Sequence, residues 1–133
     1  MHFQLSTKYA IHLLQYLHVH DRGLPTATTI SHSIGVTYPL VVKIANELKK
    51  HGLLVTVQGR HGGYMLAKPA TEISIYDVLL AIEGDLQLVR CLKDKQCSTR
   101  DTIGKCSTHD YLLTLQSDMA AFLSRKYVAD FLQ

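Results

Sequence analysis

Thr37-Tyr38-Pro39-Leu40-Val41-Val42-Lys43-Ile44-Ala45-Asn46-Glu47-Leu48-Lys49-Lys50-His51-Gly52 runs directly into Leu53-Leu54-Val55-Thr56-Val57-Gln58-Gly59-Arg60-His61-Gly62-Gly63-Tyr64-Met65-Leu66-Ala67, and the hydrophobic period changes at the junction. In the first segment Val41, Ile44 and Leu48 recur at helical spacing, Thr37 is placed to cap the start, and Pro39 sits in the first turn, where a missing N–H costs nothing. Lys49, Lys50 and His51 complement the negative helix end, and Gly52 supplies the C-cap. Beyond Gly52, Leu53 to Val57 are apolar and β-branched, Gln58 to Gly63 form a glycine-rich turn, and Tyr64 to Ala67 return as a second strand.

Upstream, Leu5 to His18 place Ala10, Leu13, Leu14 and Leu17 on one helical face, with Ser6 or Thr7 as the expected N-cap and an end near Asp21-Arg22-Gly23. Between Thr26 and Ser33 there is room for only a short helix, and Gly35 follows as the residue for a tight turn. Short helix, turn, longer helix and hairpin is the order of a winged helix-turn-helix. The expected fold is therefore mainly α with a small β-hairpin wing. That geometry suits DNA, because a helix fills the major groove while a narrow hairpin approaches the backbone or minor groove.

Downstream, Lys68-Pro69-Ala70-Thr71 links to a helix in which Ser74 and Asp77 resemble a capping box, Ile75, Val78, Leu79 and Ile82 form the apolar face, and Gly84 terminates. Arg90 to Ser107 are poor in apolar residues, read as a loop, and carry all the cysteines. A long C-terminal helix, Asp110 to Tyr127, offers two stripes: Leu112, Leu115, Met119 and Phe122, and Leu113, Ala120, Leu123 and Tyr127. Either both form one broad core-facing surface, or one covers its own domain and the other meets a second copy; the homodimer is the expected arrangement.

Length and charge limit the function classes. At 133 residues, with 47% hydrophobic and 19% charged residues, the chain has the composition of one globular domain. It lacks the apolar run of ~18 residues that would span a bilayer, and MHFQLSTKYA does not resemble a signal peptide, so no membrane partner and a cytoplasmic location are expected. Residues 1–68 carry seven Lys/Arg against Asp21 and Glu47, a balance of +5, whereas residues 69–133 stand at −2. Seven of the eight histidines also lie in the first part. A basic half carrying Lys43 on the second helix of the pair, with Arg60 and His61 at the wing tip, points to a polyanion. No phosphate loop, H-E-x-x-H or G-x-S-x-G occurs, so enzyme function is not expected.

Five residues separate Cys91 from Cys97, eight separate Cys97 from Cys106, and two separate Cys106 from His109. Thiolates are soft ligands for zinc, copper(I) or iron–sulfur clusters, and imidazole can complete a four-ligand set. The flanking Arg90, Lys93, Lys95, Arg100 and Lys105 would instead favour thiolates that form a regulatory disulfide, an activation partly offset by Asp94 and Asp101. A small iron–sulfur or zinc protein without a DNA role would use the cysteines but leave the basic wing idle.

Lys8-Tyr9-Ala10, Ile30 to Thr37, Leu48 to Leu54, the wing Gly59 to Ala67, Ile73-Ser74, Ile82-Glu83-Gly84, the cysteine loop and Val128-Ala129-Asp130-Phe131 together resemble the Rrf-two family of bacterial regulators. The resemblance runs essentially end to end and is most specific in the wing and the Glu-Gly element. It implies a homodimeric transcription regulator, expected to be a repressor, joined through the long C-terminal helix and reading a palindromic operator in double-stranded DNA. It further implies a head over residues 1–84, a cysteine-containing sensor loop over 85–109 and a dimerisation helix with tail over 110–133. Thr37, Tyr38 and Lys43 would lie in or beside the major groove, Arg60 with His61 at the minor groove, and Lys49 and Lys50 would touch phosphates or merely solvate the helix end. Val42 stands where cluster-regulator relatives often have glutamate, so their operator sequence does not transfer. The resemblance also implies an iron–sulfur cluster, expected to be a two-iron, two-sulfur centre, on Cys91, Cys97, Cys106 and His109. Cys106-Ser107-Thr108-His109 matches the family's C-x-x-H ending, while Lys8 replaces the aspartate that some relatives use as a ligand.

Overall fold

The computed structural model describes residues 2–88 and 107–131. In chain order the elements are α1 (Leu5–Val19), α2 (Ala27–Ile34), α3 (Tyr38–Lys50), β1 (Leu54–Val57), β2 (Gly63–Leu66), a 3-10 turn (Ala70–Glu72), α4 (Ile75–Glu83), α5 (Ser107–Ser124) and a second 3-10 turn (Val128–Phe131). The arrangement is the expected one: a helix-turn-helix pair followed by an antiparallel hairpin, which pairs Leu54 with Leu66 and Val57 with Gly63.

Leu13, Leu14 and Leu17 of α1, Ile30 of α2, Val41, Ile44 and Leu48 of α3 and Val78 of α4 converge in one core. Each large side chain so buried contributes about 1.5–3 kcal/mol relative to exposure. The α3 end shows how the chain turns from helix to strand. Gly52 N–H donates to Lys49 O at 3.1 Å and Leu53 N–H to Leu48 O at 3.0 Å. This is a Schellman closure, with His51 as the C-cap residue and Gly52 just beyond it at φ 73°. Leu53 and Leu54 are thereby delivered, buried, into the core.

The start of α1 departs from expectation. Neither Ser6 nor Thr7 is the N-cap; Gln4 is, and it makes no side-chain capping bond. Thr7 lies inside the helix and is fully buried, and its hydroxyl donates to the Glu83 carboxylate at the end of α4. The Gln4 N–H donates to the same carboxylate oxygen at 3.3 Å. Glu83 therefore caps α1 from a distance, placing a negative group against the positive helix end. At the other end of α4 the Ser74–Asp77 capping box is present, with both bonds at 3.0 Å.

The long helix also ends earlier than its apolar pattern suggested. α5 stops at Ser124, and Tyr127 is bridged to Ser74 outside the helix. Ile75 N–H donates to Lys126 O at 2.7 Å and Val128 N–H to Ile73 O at 2.9 Å, tying the end of the chain to the start of α4. Val128 is fully buried there, which is why the pattern breaks at this point. The two anticipated stripes do not separate cleanly. Leu112, Met119, Ala120 and Leu123 are half-buried, whereas Tyr111, Leu113, Leu115 and Phe122 are exposed.

Candidate nucleic-acid interface

The face of α3 opposite Val41, Ile44, Ala45 and Leu48 is solvent-facing and carries Pro39, Lys43, Asn46, Lys49 and Lys50. Its first turn holds no acidic residue, so the helix presents an uncompensated positive end. Thr37 occupies the N-cap position through its carbonyl, which accepts from Val41 N–H at 3.0 Å, but its hydroxyl makes no capping bond. Thr37 is exposed. Tyr38 follows, 54% exposed. Lys43 is exposed one turn further on. Asn46, one turn beyond Lys43, was missed in the sequence because its amide carries no charge to draw attention. Exposure on this face is the signal that finds it, and an amide can pair with an adenine edge. Lys50 Nζ lies 3.1 Å from Glu47 Oε1, a solvated pair within the helix, while Lys49 extends from the same exposed end.

The wing is fixed to this helix pair. Tyr64 N–H on β2 donates to Pro25 O at 3.0 Å, so the hairpin is held against the segment leading into α2. A Cβ at Gly63 would collide with the carbonyls of Leu24 and Pro25, which is why that position needs glycine. Burial pushes the Tyr64 phenol above its ordinary value, and repulsion by Tyr38 adds to the shift, linking β2 to the first residue of α3. Tyr64 is thus an O–H donor at neutral pH. Arg60 and His61 stand exposed at the tip, in a turn closed by Gly62 N–H donating to Gly59 O at 3.0 Å. The structure thus brings Thr37, Tyr38 and Lys43 onto one helix face, places Lys49 and Lys50 at its far end, and sets Arg60 and His61 on the adjoining wing.

Cys91, Cys97 and Cys106 lie outside the described residues. Their expected companion His109 is in the first turn of α5, half-buried, with Nδ1 3.5 Å from Asp110 Oδ1. Among the described residues no group of three or more His, Cys, Asp or Glu is arranged to hold a metal. No helix among the described residues is long and apolar enough to cross a membrane.

Comparison with known proteins agrees with this geometry. The HTH-type transcriptional regulator IscR of Serratia proteamaculans is 30% identical over 114 residues, covering 86% of this chain and 67% of that one. The structure of T. potens IscR superposes with a TM-score of 0.71 at 21% identity, over 99% of this chain and 86% of that one. CymR, the global cysteine regulator of B. subtilis, superposes with a TM-score of 0.73 at 14% identity, over 98% of this chain and 95% of that one. At these identities the two structures establish the fold. The Rrf2 family, described as an iron-dependent transcriptional regulator, matches residues 3–133. With a basic reading helix, a wing held beside it and this match over nearly its whole length, the chain belongs to the Rrf2 family of DNA-binding transcription regulators.

Proposed function

We propose that the protein is a homodimeric cytoplasmic repressor that reads a palindromic operator and releases or engages it according to the state of its cysteine loop. The observation that carries this reading is the exposed face of α3, polar and basic from Thr37 to Lys50, with the Arg60–His61 wing docked beside it. Thr37, Tyr38 and Lys43 reach the base edges and nearby backbone, and Arg60 enters the minor groove with His61 beside it. Lys49 and Lys50 take phosphates, with Lys50 exchanging its Glu47 partner for the DNA. Two heads related by a two-fold axis read two half-sites, and the exposed side of α5 joins them.

For the sensing step, the donor set fits an iron–sulfur cluster: three thiols and one imidazole are the soft and borderline ligands such a centre takes. Cys91, Cys97, Cys106 and His109 would hold it. A bound cluster supplies a redox-labile centre of variable charge; the chain's part is to pass a change at the first turn of α5 to α4, against which α5 packs. A disulfide switch is the second reading. It is favoured by the basic residues around the cysteines and by the likeness to Staphylococcus aureus CymR, solved in an oxidized form, which superposes with a TM-score of 0.68 at 19% identity. Anaerobic purification followed by absorbance, iron and sulfide analysis separates the two. Visible absorbance with stoichiometric iron supports the cluster, and a colourless protein even after reconstitution leaves the disulfide. For the interface, Arg60→Ala is expected to reduce the salt dependence of duplex binding by about one unit of log–log slope, and an unchanged slope removes Arg60 from the contact.

A further inference from the structure

Beside the wing cations Arg60 and His61 stands Arg22, which none of these assignments uses. A cleft of about 520 Å³ separates the α1–α2 turn from the wing, with Asp21, Arg22 and Thr26 on one side and Arg60 and His61 on the other. Both arginines occupy corners of hydrogen-bonded turns. Gly23 N–H donates to His20 O at 3.2 Å around Arg22, and Gly62 N–H donates to Gly59 O at 3.0 Å around Arg60. The two turns share a frame, because the Tyr64–Pro25 hydrogen bond and the close approach at Gly63 hold β2 against the Leu24-Pro25 segment. Asp21 is the one acid lining this cleft, and among the described residues neither guanidinium lies within ion-pair distance of a carboxylate. Two guanidinium groups and an imidazole therefore face a solvent-filled gap with one carboxylate among them.

We infer that this cleft takes the DNA phosphodiester backbone and that Arg22 is a phosphate contact, gripping the strand that borders the groove entered by Arg60. This rests on the DNA-reading geometry proposed above and extends its footprint from the wing to the α1–α2 turn. A guanidinium fork matches a phosphate bidentately. Because both arginines are mounted on closed turns of one frame, engaging them orders little additional backbone. A phosphate contact fixes register and affinity but carries no base information, so Arg22 strengthens binding to every duplex alike.

The test is fluorescence-anisotropy titration of the full chain against two duplexes, one selected from a random pool by the unaltered protein and one unselected, between about 50 and 200 mM salt. Arg22→Ala is expected to weaken both by the same factor and to make the log–log salt slope shallower by about 0.9, with an unchanged circular-dichroism melt. Arg22→Lys, which keeps the charge, restores the slope. Affinities and slope equal to those of the unaltered protein would overturn the inference, as would a loss confined to the selected duplex, which would make Arg22 a base reader. Failure of the unaltered protein to bind either duplex overturns the DNA reading itself, an outcome distinct from failure of Arg22 alone.

Discussion

The head and the long helix α5 use their apolar residues in opposite ways. In α1, α2 and α3, Leu13, Leu14, Ile30, Val41 and Leu48 are wholly buried, and the exposed face of α3 is largely polar or basic, while Leu5 and Val19 stand exposed at the two ends of α1. In α5 no described side chain is fully buried, and Tyr111 and Phe122 remain 70% and 52% exposed. The head gathers most of its apolar side chains into one core, whereas α5 keeps an apolar side that the other described residues leave uncovered.

The contrast breaks first in the head. Leu48→Ala removes a fully buried side chain at the centre of α3 and is expected to cost about 2–5 kcal/mol, read as a lower urea midpoint with an unchanged denaturant slope. A loss below about 1 kcal/mol would show that this core collapses around the cavity. On α5 the effect should be on assembly instead. Phe122→Asp places a charge on the exposed apolar side and is expected to shift the proposed dimer to a monomer in sedimentation, with the head still folded. An unaltered dimer would move the interface elsewhere.

A smaller effect lies at the join between helices. Glu83→Ala strips α1 of its remote cap and leaves the buried Thr7 hydroxyl without its partner, expected to cost about 1–3 kcal/mol. Glu83→Gln, which keeps an acceptor oxygen, should cost less; equal losses would assign the effect to charge rather than hydrogen bonding. Smallest of all, Lys50→Ala breaks an exposed i,i+3 pair with Glu47 and should change stability by less than about 0.5 kcal/mol while still weakening duplex binding.

Glu83 also marks where sequence reading stops. The Schellman end at Gly52, the capping box at Ser74 and Asp77 and the hairpin are local devices, complete within a few residues, and each was readable from the chain. The α1 cap was not, because its carboxylate comes from a residue 76 positions beyond Thr7. A Ser or Thr near a helix start matches the cap pattern whether it faces the orphan N–H groups or, like Thr7, the core. Tyr127 misled in the same way: it continues the α5 spacing, but buried Val128 and backbone bonds to the start of α4 pull the chain out of the helix. At the candidate interface, Thr37, Tyr38, Lys43 and the wing cations are proposed from motif and charge, and the fold shows them exposed. Asn46 and Arg22 needed the fold, one to show an exposed face and the other to bring two distant turns to one cleft.

The most direct test of the whole account is the affinity of the full chain for its selected duplex, measured by anisotropy on anaerobically prepared protein and again after oxidation. The account predicts tight, steeply salt-dependent binding that differs at least about tenfold between the two states, a coupling of about 1.4 kcal/mol. It also predicts that the difference vanishes when Cys91, Cys97 and Cys106 are all replaced by serine. Equal affinities in both states, or no duplex binding in either, would contradict it.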